Sequence, residues 1–175
     1  MEGDRRAFAG RRHCQRRLTP GKGAGGPEAR VDTARPADVA ALVELDRACF
    51  GRRAWPPSAW LEAVTEPGWV TLVVRDGAGP VAAAVLVPFG PVAHLASIGV
   101  HPERQNRGLG TSLLHDVLQR ARSDGARFLV LEVDRANRAA RRLYRREGFG
   151  VVRRFREDGR WRIEMHRRLG GNGGS

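Results

Sequence analysis

Tyrosine and lysine occur once each in this chain, cysteine and methionine twice each, and no long apolar run occurs anywhere in its 175 residues. Each scarcity removes a class of function. A membrane span needs about 20 consecutive apolar residues, which no segment supplies, and the N-terminus lacks the apolar stretch of a secretory signal. The expected location is therefore cytoplasmic, with no membrane partner. Cys14 and Cys49 show neither paired nor metal-ligand spacing, so neither a disulfide nor a zinc site is expected. His94, His101, His115 and His166 likewise show no ligand spacing and no nucleophile motif, and read as surface or packing residues. The single lysine is Lys22, which rules out a Walker phosphate loop, because Gly110 is followed directly by Thr111.

What the chain has in excess is arginine. Lysine and arginine together number 31 against 19 acidic residues, a net charge of +12. The arginines are scattered through nearly every segment and no RNA-binding signature accompanies them, so the excess reads as a solvated basic surface. That surface also permits attraction to phosphates, or weak association with ribosomal RNA.

The length suits one domain with a sizeable core. Residues 1–28 are rich in arginine and glycine without an apolar period and are expected to be a disordered tail, and residues 170–175 a flexible one. Between them the pattern predicts a strand over 30–34, then a helix entered at Pro36 that buries Leu42, Val43, Leu45 and Phe50. A short helix follows, capped by Ser58 and ended by Glu66-Pro67-Gly68. Strands are expected over 69–75, 81–89 and 92–100, the first two joined by a turn at Asp76 to Pro80. The nearly continuous apolar run 128–133 suits a central strand buried on both faces, interrupted by Glu132. Asn137 starts a helix that stops at Gly148, and strands over 149–155 and 160–166 close a final hairpin. The expected class is α+β, a mixed sandwich of helices around one sheet.

The stretch from Ser97 to Leu114 organises the rest. An apolar segment ends at Pro102, a polar turn carries Gly108 and Gly110, and Leu109, Leu113, Leu114, Val117, Leu118 and Ala121 then repeat at helical spacing. Strand, glycine turn and helix in that order place unpaired amides and the positive end of a helix dipole behind residues without Cβ atoms. That is a seat for a phosphate or pyrophosphate. A dinucleotide fingerprint does not fit, because Leu113 stands where its third glycine belongs. Within the preceding strand, Gly99 marks a bulge or close approach, or a mere packing adjustment. Arg104 and Arg107 stand near enough in sequence to pair with phosphates or to be solvated.

Gln105-Asn106-Arg107-Gly108-Leu109-Gly110 resembles the Q-x-x-G-x-G acetyl-CoA loop of the GNAT acetyltransferases, and Asn137, Ala140, Tyr144 and Gly148-Phe149 resemble that family's N-x-x-A-x-x-x-Y-x-x-x-G-F segment. The resemblance covers about residues 29–169, expected to be the domain, and is nearest the RimI-like branch that acetylates the N-terminal alanine of a ribosomal protein. It implies a single mixed, mostly antiparallel sheet flanked by helices, and an N-acetyltransferase acting on a primary amine. It implies that acetyl-CoA is held by Ile98 and Val100, by the loop from Gln105 to Thr111 and by Asn137, with no metal. It implies Glu132 as general base and Tyr144 as proton donor to the sulfur, and a groove for the acceptor lined near Trp55 and Trp60. The acceptor is expected to be a protein or peptide N-terminus and the chain a monomer. A small amine or antibiotic as acceptor, or a non-catalytic acetyl-CoA or RNA-binding module, remain alternatives.

Overall fold

The computed structural model describes residues 31–77 and 79–170, so the two expected tails, 1–28 and nearly all of 170–175, lie outside the described residues. Seven strands form one sheet in the order β1-β2-β3-β4-β5-β7-β6. They are β1 (Val31–Thr33), β2 (Val70–Asp76), β3 (Gly79–Phe89), β4 (Val92–Val100), β5 (Phe128–Asp134), β6 (Gly150–Glu157) and β7 (Arg160–Arg168). Among the described residues four α-helices flank it: α1 (Val39–Phe50), α2 (Pro57–Thr65), α3 (Leu109–Ser123) and α4 (Arg138–Arg146). Every neighbouring pair is antiparallel except β4 with β5, so the sheet is mixed and mostly antiparallel. No helix among the described residues is long and apolar enough to cross a membrane.

Two apolar layers hold the sheet. On one face α3 and α4 press Leu113, Leu114, Val117, Leu118, Leu143 and Tyr144 against strands β2 to β7. On the other, α1 and α2 press Leu42, Phe50, Trp55 and Trp60 against Val73, Ala83, Val85, Val87 and Ala96, residues of β2 to β4 only. The middle of β2, β3 and β4 is therefore buried on both faces; β3 reads as an unbroken apolar run, while β2 and β4 carry the buried polar residues Thr71 and Ser97.

β5 departs from expectation. It alternates, with Leu129, Leu131 and Val133 buried while Phe128 is exposed and Val130, Glu132 and Asp134 are partly so, because no helix covers that second face. Its apolar run overstated its burial, since Val130 is a surface valine. At α2 the N-cap is Pro56, with Pro57 as the first helical residue, so Ser58 sits inside the first turn and does not cap. Proline needs no partner for an amide it lacks, and its fixed φ suits a helix start.

In β4 the apolar phase slips, from Ala93 and Leu95 to Ile98 and Val100. The pairing explains it: Val85 faces Ser97 and Leu86 faces Leu95, which leaves Ala96 as the extra residue of a bulge. The bulge is at Ala96, not Gly99. A Cβ on Gly99 would lie 3.1 Å from the Phe50 ring and 3.2 Å from Cys49 Sγ, so that glycine lets α1 pack closely.

Candidate active site

The only parallel pairing among the described residues is short. β4 and β5 run side by side at Val92–Phe128, Ala93–Leu129 and His94–Val130, and pair no further. Past that point the two strands continue to Val100 and Asp134 without bonding each other, and the Ala96 bulge, which increases local twist, sits where they part. The two strands therefore part past His94 and Val130, leaving a cleft between them in the sheet's backbone pairing.

On the α3–α4 side the cleft meets the glycine turn. β4 ends in a short 3-10 turn, Pro102–Arg104, and Gln105 folds back so that its Nε2 donates to the Val100 carbonyl at 3.1 Å. Asn106 (φ +63°) and Gly108 (φ +79°) both take left-handed backbone, which turns the chain into α3. No side chain caps that helix; Thr111 and Ser112 donate to the Gly108 carbonyl at 3.0 Å each. A Cβ at Gly108 would meet nothing within 4 Å, so the turn opens onto free space in front of the first amides of a 15-residue helix. An anion is attracted there by unpaired N–H groups and by the dipole. Leu109 is half-buried and Gly110 buried in the first turn, while Arg107 is exposed. Arg104 is committed elsewhere: its Nε and Nη2 donate to Asp76 at 2.9 and 2.8 Å. Ile98 and Val100 are buried with their side chains in the α3 layer, which leaves backbone as what they present at the cleft.

Asn137 caps α4, its Oδ1 accepting from the Ala140 amide at 3.2 Å. Ala140, three residues on, and Tyr144, four further, share its face, as their spacing requires. Tyr144 is completely buried, edge-on to Phe149 at 5.6 Å, and burial lifts its phenol well above the ordinary tyrosine value.

On the α1–α2 side the cleft opens onto the bare face of β5 and β7. Glu132 and Glu164 are directly opposite each other, an arrangement that repels unless cations intervene. They do intervene. Arg162, only 6% exposed, brings Nη2 to 3.6 Å from Glu132, and Nε to 4.0 Å from Glu157. Glu164 receives Arg153 Nε at 2.5 Å and lies 2.7 Å from His166 Nε2. Burial works against ionising Glu164, yet its hydrogen bonds with Arg153 and His166 outweigh that and hold its carboxyl below the usual range. Glu132 goes the other way: burial raises its proton affinity, Arg162 offsets part of the rise, and Glu157 and Glu164 add to it. Two neighbouring carboxylates thus have opposite characters: Glu164 is held ionised by its partners, and Glu132 has its proton affinity raised. His94, across Val130 from His166, is pushed down to about 4 by burial and is neutral at pH 7.

The sheet thus carries Glu132 on its α1–α2 face, while α3 with its glycine turn and α4 with Asn137 and Tyr144 lie on the other. Trp55 and Trp60 line no groove: both are buried, with ring centroids 5.5 Å apart, in the α1–α2 core. Arg162, Glu164, Arg153 and His166 were not singled out from the sequence as site residues. Their signal was present, since Arg162, Glu164 and His166 alternate with buried Ile163 and Met165, but only the register to β5 shows that they face Glu132.

Residues 39–149 match the family model described as Acetyltransferase (GNAT) family. The chain is 34% identical over 101 residues to the L-methionine sulfoximine/L-methionine sulfone acetyltransferase of Pseudomonas paraeruginosa, which covers 53% of this chain and 58% of that protein. The match thus spans little more than half the length of that relative. It is 34% identical over 127 residues to the N-alpha-acetyltransferase RimI of Mycobacterium tuberculosis, covering 68% of this chain and 78% of that protein. Among solved structures, the ribosomal-protein-S18-alanine N-acetyltransferase from Escherichia coli superposes with a TM-score of 0.75 at 22% identity, over 83% of this chain and 98% of the other.

Proposed function

The chain belongs to the acetyltransferase (GNAT) family, and on that premise we propose that it moves an acetyl group from acetyl-CoA to a primary α-amine, the N-terminus of a protein or peptide. The unit assigned to this activity is residues 29–169. The pyrophosphate is assigned to the turn formed by Gln105, Asn106, Arg107, Gly108, Leu109, Gly110 and Thr111, where open space fronts an uncapped helix start. The backbone at Ile98 and Val100, unpaired toward β5, is assigned to the pantetheine arm, and Asn137 to the same ligand. Acetyl-CoA supplies an activated acyl carbonyl when bound; everything else falls to this chain.

An α-amine is largely protonated at neutral pH and its nitrogen cannot attack until that proton leaves. Glu132, with proton affinity raised by burial, takes it directly or through a water, from the side open to solvent. Tyr144 approaches from the opposite side of the sheet and gives its phenolic proton to the departing sulfur. Its high proton affinity keeps the phenol protonated and ready to donate. Acceptor and donor thus enter by different faces and meet in the cleft between β4 and β5.

The observation that favours a peptide over a free amino acid is the pairing of the arginines on the acceptor side. A free amino acid brings a carboxylate next to its amine, and that carboxylate needs a cation. Among the described residues Arg53 and Arg160 face Asp134, Arg153 faces Glu164, and Arg162 faces Glu132 and Glu157. A peptide N-terminus carries an amide at that position and makes no such demand. The second reading, a free amino acid, draws on the methionine sulfoximine relative.

The test is a competition: an alanine-starting peptide, the same peptide blocked at its N-terminus, L-methionine sulfoximine and a lysine side-chain amine, with acetyl-CoA, read by mass spectrometry and thiol release. The open peptide is expected to take most of the acetyl and the blocked one none. Acetyl found only on the free amino acid or on lysine overturns the acceptor assignment while leaving family and donor intact.

A further inference from the structure

Outside one region, about half of the described arginines are neutralised by partners. Arg47, Arg75, Arg104, Arg120, Arg153 and Arg162 each face a carboxylate within 4 Å. The remaining described arginines outside that region, Arg35, Arg52, Arg107, Arg122, Arg127, Arg154, Arg156 and Arg168, occur one or two at a time along the chain. That one region is α4 and the turn before it. Six arginines occur between positions 135 and 146 with no acidic residue among them, and none of the six has an ion pair among the described residues.

The geometry concentrates them further. Arg141 is tied down by a bond from Nη1 to the Arg135 carbonyl at 2.8 Å. Burial and then the charges of Arg145, Arg135, Arg154 and Arg138 all disfavour its protonated form, so at least four other guanidinium groups crowd it with no carboxylate to relieve them. Arg154 and Arg156 lie opposite Ile163 and Trp161 in the β6–β7 pairing, and Ile163 packs in the α3–α4 layer, so these residues emerge on the α4 side of the sheet. Trp161 is 46% exposed there. Its carbonyl accepts from the Arg135 amide at 2.9 Å, and the Arg156 guanidinium sits 5.9 Å from its ring centroid. A large exposed aromatic ring is thus held against the end of an arginine-covered helix.

We propose that α4, with Arg135, Arg154, Arg156 and Trp161, is a binding surface for single-stranded nucleic acid. Unrelieved like charge on a folded surface is removed by phosphates, and guanidinium forks match phosphate oxygens in pairs. An aromatic ring beside such a track offers a stacking platform for a base. An anionic membrane is the poorer fit, since the large apolar residues of α4, Leu143 and Tyr144, are buried in the core and the helix offers only Ala139 besides arginine on its outer face. The surface is on the opposite side of the sheet from Glu132, so bound nucleic acid leaves the acceptor mouth open.

The test uses the full chain and a fluorescent 15-nucleotide oligouridylate, with anisotropy measured at several salt concentrations. Binding is expected, with log K falling linearly against log salt. The triple substitution R142Q/R145Q/R146Q, on exposed positions of a helix where glutamine is well tolerated, is expected to weaken affinity at least roughly 10-fold at 0.1 M salt and to reduce the slope by about 2. Trp161→Ala is expected to cost roughly 10-fold with the slope unchanged, as loss of stacking does. Circular dichroism and melting check that both variants fold. The control R47Q/R120Q removes paired arginines elsewhere and is expected to have little effect. Any of four results overturns the proposal: no binding by the parent; parental affinity in the triple variant; an equal loss in the control; or displacement of the oligonucleotide by saturating acetyl-CoA. Tighter capture by phosphatidylserine vesicles than by the oligonucleotide overturns it in favour of a membrane.

Discussion

Strands β2 to β4 and strands β5 to β7 belong to one sheet but are finished differently. The first group is covered on both faces, by α3 on one side and by α1 and α2 on the other, and contributes little but apolar side chains. The second group is covered on one face only, and its bare face carries Glu132, Glu164, Arg153, Arg162 and His166. The seam between the groups is the parallel pairing that ends at His94 and Val130. A fully covered half gives a rigid edge, and a half-covered one gives polar groups that still reach solvent; a cleft between them inherits both. Stability and chemistry should therefore respond separately to substitutions on the two sides.

The largest effect expected is on the covered half. Leu42→Ala, at a side chain with no exposed surface in the α1 layer, removes buried methyl groups and leaves a cavity, at a cost of about 2–5 kcal/mol. Thermal melting should fall by roughly 10 °C while kcat/KM at a temperature where the variant stays folded is unchanged. A parallel loss of activity would blur the distinction between the halves.

Next is Tyr144→Phe, which removes one hydroxyl with little change of volume from a residue that belongs to both accounts, buried in the core and proposed as the proton donor. Turnover is expected to fall on the order of 100-fold, with acetyl-CoA affinity by calorimetry and the melting temperature close to parental. A variant that melts much lower with normal turnover would return Tyr144 to the core alone.

A smaller effect sharpens the comparison within the covered half. Asp46 is 2% exposed, accepts from the Trp55 amide, and burial pushes its carboxyl up to about 6 from an ordinary value of 3.8. Between those values the folded chain holds a proton that the unfolded chain has lost. Its contribution to stability therefore declines as pH rises through that window, by up to about 3 kcal/mol. Asp46→Asn keeps an acceptor for Trp55 and abolishes the titration. The melting temperature of the parent relative to the variant should drop between pH 4 and pH 6.5, and a constant difference would refute the assignment.

The same division governs how much could be read in advance. Element order, the β4 boundaries, the Asn137 cap and the glycine turn were legible because each depends on local pattern and backbone chemistry. The face of β5 was not, since Val130 and Leu131 look alike in sequence and only the missing helix above Val130 distinguishes them. The fate of Arg104 was hidden for the same reason: Asp76 lies 28 residues away along the chain and reaches it through the β2–β3 hairpin. Glu132 stood out as an acid in an apolar run, but its partner Arg162 could be assigned only once β7 was known to lie beside β5 in its observed register. Gly99 was visible as an anomaly whose cause, the approach of Cys49 and Phe50, belongs to tertiary packing.

The central claim is that a carboxylate on the bare half accepts the proton for chemistry carried out at the seam. The most direct test is the pH dependence of kcat/KM for parent and Glu132→Gln with a peptide acceptor, under conditions where acetyl transfer limits the rate. Protonated Glu132 cannot act as a base, and burial raises its proton affinity, so parental activity should fall on the acid side with a midpoint above the usual carboxylate range. The acceptor amine, titrating near 7.7–8.0, adds a second limb common to both proteins. In Glu132→Gln the rate should be lower on the order of 100-fold with the acidic limb gone and only the amine limb left. A variant with near-parental rate and an unchanged acidic limb would contradict the account and remove Glu132 from the mechanism.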